Sequence, residues 1–196
     1  MNNKGISPPL AAALAILLLV MPPAASGGNQ PAVPPLERAD TRSRAERWQL
    51  EFQTGAMWRV TDETTLDYLV LPQLVTLESP PHSFFEILGA KATLGPFYRL
   101  VGEYFARGPE SYYIGLTLGP VVELWSDDES LCFYFRPGGG AGLVDSQGVP
   151  GGQGQDFTLN WVLEAGARVA VSDRLSVSLG VYFQHLSNLG MSDRSE

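Results

Sequence analysis

The chain has one cysteine, Cys132, and only two histidines, His82 and His185, among its 196 residues. A lone cysteine closes no intramolecular disulfide, so this is not a disulfide-stapled scaffold. C-x-x-C and H-E-x-x-H spacings are missing, as are a P-loop and a G-x-G-x-x-G placed between a strand and a helix. Metal and nucleotide chemistry therefore have no support in the sequence. Positive charge is scarce too: 13 Lys and Arg stand against 21 Asp and Glu, for a formal net charge of −8. The basic footprint of a nucleic-acid binder is absent. Charged residues make up only 17% of the chain, where about 25% is usual for soluble domains. No apolar run reaches the roughly 20 residues of a comfortable transmembrane helix.

What is present points to strands. Hydrophobic residues make up 44% of the chain, which excludes wholesale disorder. The 21 glycines and 15 prolines disfavour a helical bundle and suit many strands joined by turns. The length fits one domain with a tail.

The N-terminus reads as an export signal. Lys4 precedes an apolar run over residues 10–20, followed by Met21-Pro22-Pro23-Ala24-Ala25-Ser26-Gly27. That is a charged start, a short apolar stretch and a small-residue cleavage site, with Ala24 and Ser26 suited to positions −3 and −1. The expectation is a signal peptide over residues 1–26 and a flexible Pro-rich, then charged, leader over 27–47. The barrel domain follows over 48–196.

From Trp48 the hydrophobic period becomes two. Trp48, Leu50, Phe52, Thr54, Ala56 and Trp58 share one face, while Gln49, Glu51, Gln53 and Gly55 fall on the other. Further extended segments are expected over 67–78, 97–107, 112–125, 131–144, 155–171 and 175–187. In the last of these Leu175, Val177, Leu179, Val181 and Phe183 alternate with Ser176, Ser178, Gly180, Tyr182 and Gln184. One apolar and one polar face suits a soluble barrel with its apolar side inward. It equally suits an outer-membrane barrel with that side toward lipid. Three features favour the membrane form: strands of bilayer-crossing length, Trp and Tyr near strand ends, and connections alternating between short and long. The expected fold is all-β, an up-and-down antiparallel outer-membrane-type barrel. The count gives seven strands, whereas single-chain bacterial barrels of this kind have an even number. The reading therefore expects a domain incomplete at its C-terminus.

Chemistry concentrates where the last strand ends, in Tyr182-Phe183-Gln184-His185-Leu186-Ser187-Asn188-Leu189-Gly190-Met191. His185 and Ser187 are two apart, so both continue the apolar row of their strand. An imidazole beside a hydroxyl is the minimum base and nucleophile for ester hydrolysis. Asn188 and the backbone near Gly190 are candidate donors to an oxyanion. An isolated His-x-Ser pair is otherwise common at strand ends. His-x-Ser-Asn-x-Gly at the end of such a strand resembles the motif of the outer-membrane lipid A 3-O-deacylase family (PagL), within the wider acyloxyacyl hydrolase group. His185, Ser187, Asn188 and Gly190 match it; Leu186 and Leu189 depart from the family's usual Tyr and Ala.

That resemblance implies an eight-stranded barrel with its active site on the outer wall. Ser187 is then the nucleophile, His185 the base, and Asn188 with Gly190 the oxyanion-side elements. The implied substrate is an acyl ester of lipid A, lipopolysaccharide or a related glycolipid, met among outer-membrane lipids. No cofactor, metal or nucleic acid is implied. The family's acid falls about twelve residues past the serine, beyond Glu196, so no third triad member is assigned and Glu196 is not given the role.

Other residues carry plainer expectations. His82, in Ser79-Pro80-Pro81-His82-Ser83, is a turn residue. Gly138-Gly139-Gly140 is a glycine-rich strand rather than a phosphate loop. Asp127-Asp128-Glu129 is a solvated turn, Cys132 lines the barrel, and Glu164 and Arg168 point inward as structural partners. Two alternatives to the esterase stand beside it: a non-catalytic structural or adhesive outer-membrane barrel, and a soluble lipid-binding barrel.

Overall fold

The computed structural model describes residues 14–16 (backbone only), 43–58, 67–87 and 90–187. The strands are β1 (Leu14–Ile16), β2 (Gln49–Trp58), β3 (Leu69–Glu78), β4 (Ser83–Ile87), β5 (Ala90–Arg107), β6 (Tyr112–Trp125), β7 (Leu131–Val144), β8 (Phe157–Ser172) and β9 (Leu175–Ser187). All pairings are antiparallel, in the order β3-β2-β1-β9-β8-β7-β6-β5-β4. An added β3–β5 ladder, running from Leu69↔Arg107 to Glu78↔Phe97, closes the sheet on itself. The result is an up-and-down β-barrel of outer-membrane type.

All seven strands read from the period are present, with β5 longer than expected. Two further pieces were not legible. β4 follows β3 along the same edge of β5, after an interruption at Pro80-Pro81; Ser79 and His82 still donate backbone N–H bonds to Pro96 and Leu94. The Pro-rich stretch is thus an irregularity in one long strand track rather than a hairpin turn, since neither proline can donate to a ladder. The other piece is β1, which lies inside the segment expected to be an export signal. It pairs with β2 over Thr54–Ala56 and with β9 over Leu179–Val181.

Closure decides which face is outside. Leu116, Leu118, Phe133, Val171 and Leu179 are more than half exposed on the outer wall. Arg99 and Arg136, at 1% and 0% exposure, are among the largest fully buried side chains. A soluble barrel has the opposite arrangement, because exposing a continuous apolar wall to water is costly, roughly 25 cal/mol per Å². An apolar wall around a charged interior is stable against lipid.

The interior is a filled network rather than a channel. Arg136 reaches Glu51 at 2.6 Å, Glu164 at 3.1 Å and also Glu78, while its guanidinium lies 4.0 Å from the Tyr134 ring centroid. Arg168 holds Glu123 at 2.9 Å, Glu78 at 3.2 Å and Glu51 at 3.4 Å. Arg99 pairs with Glu164 and donates to the Thr76 hydroxyl at 2.7 Å. Glu164 and Arg168 do point inward as expected, each pairing with other partners across the lumen. Cys132 is buried there, its Sγ 3.8 Å from Glu123.

The two ends differ. At one, β4–β5, β6–β7 and β8–β9 are joined by two to five residues. A turn of 3-10 helix, Arg44–Glu46, packs under this end with Ala45 fully buried. At the other, β7–β8 is joined by residues 145–156. There the Asp145 carboxylate accepts from the N–H groups of Ser111 and Tyr112, and Asp156 from those of Ser146 and Gln147, so this loop is internally bonded. β9 runs from the short-turn end to the long-loop end, which places its C-terminal residues at the latter.

Candidate active site

β9 continues its outward row Val177, Leu179, Val181, Phe183 into His185, which is exposed, and Ser187, which is half-buried. The inward neighbours fix this stretch. Tyr182 is buried and donates its hydroxyl to Gln184 at 2.7 Å, and Leu186 packs against the core. Two steps along a strand separate the backbones of the pair by about 6.7 Å. The imidazole and hydroxyl therefore stand side by side on the outer wall near the long-loop end.

The flank toward β8 is apolar. His185 lies directly opposite Trp161, and Ser187 opposite Leu159. The Trp161 and His185 rings are 5.7 Å apart between centroids and tilted by 40°. Phe183 touches the same indole, at 5.1 Å and 45°. Leu163 faces Phe183 one step further. No carboxylate among the described residues forms an ion pair with His185. On its other edge β9 pairs with β1 only over Leu179–Val181. Asn188, Gly190 and Glu196 lie outside the described residues.

Such a pair can do acyl chemistry from the outside of the barrel. A hydroxyl activated by an adjacent imidazole attacks an ester carbonyl, and an apolar wall lets an ester at the lipid boundary approach it sideways. The chain matches the family model described as Lipid A 3-O-deacylase (PagL) over residues 82–195, more than half its length. The chain belongs to the lipid A 3-O-deacylase family. The match runs from the bend before β4 through β9 and takes in the whole His-x-Ser-Asn-x-Gly motif. Membership makes it one of a family of lipid A ester hydrolases, and an all-β barrel agrees with that. No curated protein and no solved structure matches the chain.

Other sequence candidates lie elsewhere. His82 sits in the bend before β4, toward the short-turn end. Gly138, Gly139 and Gly140 are within β7. Asp128 and Glu129 occupy the β6–β7 turn. Hydrogen bonds from the Ser126 hydroxyl and from the Ser130 N–H and hydroxyl hold the Asp128 carboxyl down at about 2. Partial burial works to raise the Glu129 carboxyl. The Lys91 ammonium at 2.8 Å and the Arg44 N–H at 2.6 Å outweigh it and keep the group below its usual value. That turn is structural, tying the 3-10 segment to the barrel end. A cavity of about 240 Å³, lined in part by Arg44, Trp48, Trp125, Arg174 and Ser178, opens at the same end, away from His185.

Trp161 stands exposed on the outward face of β8, and no spacing in the sequence connects it to His185. The two are 24 positions apart, and only the β8–β9 register joins them.

Proposed function

We propose that the protein is an exported outer-membrane esterase that removes an acyl chain from lipid A or a related glycolipid. The observation that carries this reading is the His185–Ser187 pair on the outward apolar row of β9, in a member of a lipid A deacylase family. The belt of exposed Leu, Phe, Val and Trp supports a barrel set in a bilayer. A substrate whose acyl chains lie in the outer leaflet then meets the wall without leaving the membrane.

In this mechanism Ser187 Oγ attacks the ester carbonyl carbon while its proton passes to the His185 imidazole. The tetrahedral intermediate collapses, and the imidazolium returns the proton to the departing glycan oxygen. Water, deprotonated by the same imidazole, then releases the fatty acid from Ser187. Asn188 and Gly190 are the proposed oxyanion-side elements, on the family motif. The orienting acid stays unassigned, since β8 offers Leu159, Trp161 and Leu163 on that flank. Cofactors have no part in these steps.

The test is mass spectrometry of lipid A after incubation with the purified barrel, with heat-modifiable gel migration reporting the fold. Ser187→Ala and His185→Asn should each lower fatty-acid release by at least about a thousandfold while migration stays parental. The double variant should be scarcely worse than either, because members of one catalytic unit are not additive. Release by Ser187→Ala at the parental rate would sink the proposal and favour a non-catalytic barrel.

A further inference from the structure

We propose that Trp161 is a positioning residue for His185: its indole sets the imidazole plane and stabilises the imidazolium that forms when Ser187 loses its proton. This rests on the reading of His185 as the base, and it goes beyond that reading by naming what the base leans on. The ring centroids are 5.7 Å apart, inside the roughly 6 Å over which a cation is attracted to an indole face.

Among the described residues, the indole is the group that meets the imidazole from β8. The described side chains flanking His185 on the outer face are Leu159, Trp161 and Leu163 of β8 and Phe183 and Ser187 of β9. None of these is charged, and the indole is the ring cross-strand from the imidazole, 5.7 Å away between centroids and tilted by 40°. At a lipid boundary a forming cation is poorly solvated, so an indole quadrupole counts for more than in water.

Trp161 is also held from the other directions. Phe183 packs against it at 5.1 Å. On β7 its cross-strand partner is Gly139, which has no side chain to compete for the ring. Crowding does not require that glycine, because a Cβ there would meet only the Asn160 carbonyl oxygen, at an ordinary 3.5 Å. Gly138 and Gly140 differ: a Cβ on either would clash, at 2.7 Å with the Phe97 ring and at 1.8 Å with the Leu116 carbonyl oxygen. Gly139 thus leaves the indole room beside β7, and the aromatic partners of the indole are on β9.

The experiment compares the full chain with Trp161→Leu, Trp161→Phe and a series carrying mono-, di- and trifluorinated tryptophan at position 161 alone. Hydrolysis is followed on lipid A in detergent micelles, with kcat and KM separated and heat-modifiable migration as the fold check. Trp161→Leu should lower kcat by about 10- to 30-fold, in keeping with a desolvated cation–π contact, and change KM by less than about twofold, since the lost interaction belongs to the transition state. Trp161→Phe should recover most of the loss. Across the fluorinated series log kcat should fall with each fluorine, because fluorine drains the ring face while nearly preserving its shape. The series also keeps the question answerable if Trp161→Leu fails to assemble. A parental kcat for Trp161→Leu, or a flat fluorination series, overturns the inference. His185→Asn is run alongside: if it too keeps parental activity, the base assignment itself has failed.

Discussion

Replacing Arg136 by Met tests whether the buried charges, rather than apolar packing alone, hold the barrel interior together. Arg136 is fully buried and serves three carboxylates, Glu51 at 2.6 Å, Glu164 at 3.1 Å, and Glu78. Methionine fills much of the volume but removes the cation. The network of Arg99, Arg136 and Arg168 with Glu51, Glu78, Glu123 and Glu164 then keeps two cations for four carboxylates. Removing one partner of a buried pair typically costs about 3–5 kcal/mol, mostly as the penalty of leaving opposite charge uncompensated. Glu51 and Glu78 retain Arg168, and Glu164 retains Arg99 and Gln53, which argues for the lower half of that range. With a urea slope of about 2 kcal/mol per M, the unfolding midpoint should fall by roughly 1.5–2 M. The assay is equilibrium urea unfolding in detergent micelles, read by tryptophan fluorescence and gel migration. Adding Glu164→Gln to Arg136→Met removes one of the surplus negative charges, so the pair should be less destabilised than the two single effects combined. Glu164→Gln alone should weaken folding yet leave hydrolysis per folded molecule unchanged, because that carboxylate faces the lumen while His185 and Ser187 face outward. An Arg136→Met midpoint equal to the parental one would refute the argument.

Two further outcomes follow from local geometry. Gly140→Ala should prevent assembly or strongly destabilise it, because its Cβ would sit 1.8 Å from the Leu116 carbonyl oxygen, whereas Gly139→Ala should leave the urea midpoint within about 0.5 M; gel migration and the same titration check both. The Asp128 carboxyl is held at about 2, below its ordinary 3.8, so its contribution to stability is fully present above the ordinary value and is lost as pH falls through about 2. Asp128→Asn should therefore flatten the fall in stability between pH 4 and pH 2, and thermal unfolding across that range measures it; an acid limb as steep as the parental one would discard the turn's role.

Alternation along the chain determined much on its own. A period of two sorts side chains to opposite faces whatever the sheet does next, so the row from Leu175 to Ser187 could be read without a fold, and His185 and Ser187 had to share a face. Most strand lengths, β5 excepted, and the odd His-Ser interruption of an apolar row were legible for the same local reason, as was the family motif. Other features needed the chain folded. Relative sidedness says nothing about which side meets the exterior; that was decided when β3 paired with β5 and turned the polar rows of seven strands onto one another. β4 was hidden because two prolines look like a turn locally, while its strand character comes from β5, across which Ser79 and His82 find their acceptors. The partners of Arg99, Arg136 and Arg168 come from strands far apart in sequence, and no spacing announces them. Trp161 and His185 meet for the same reason, since cross-strand register is fixed by the whole ladder between β8 and β9 rather than by either strand alone.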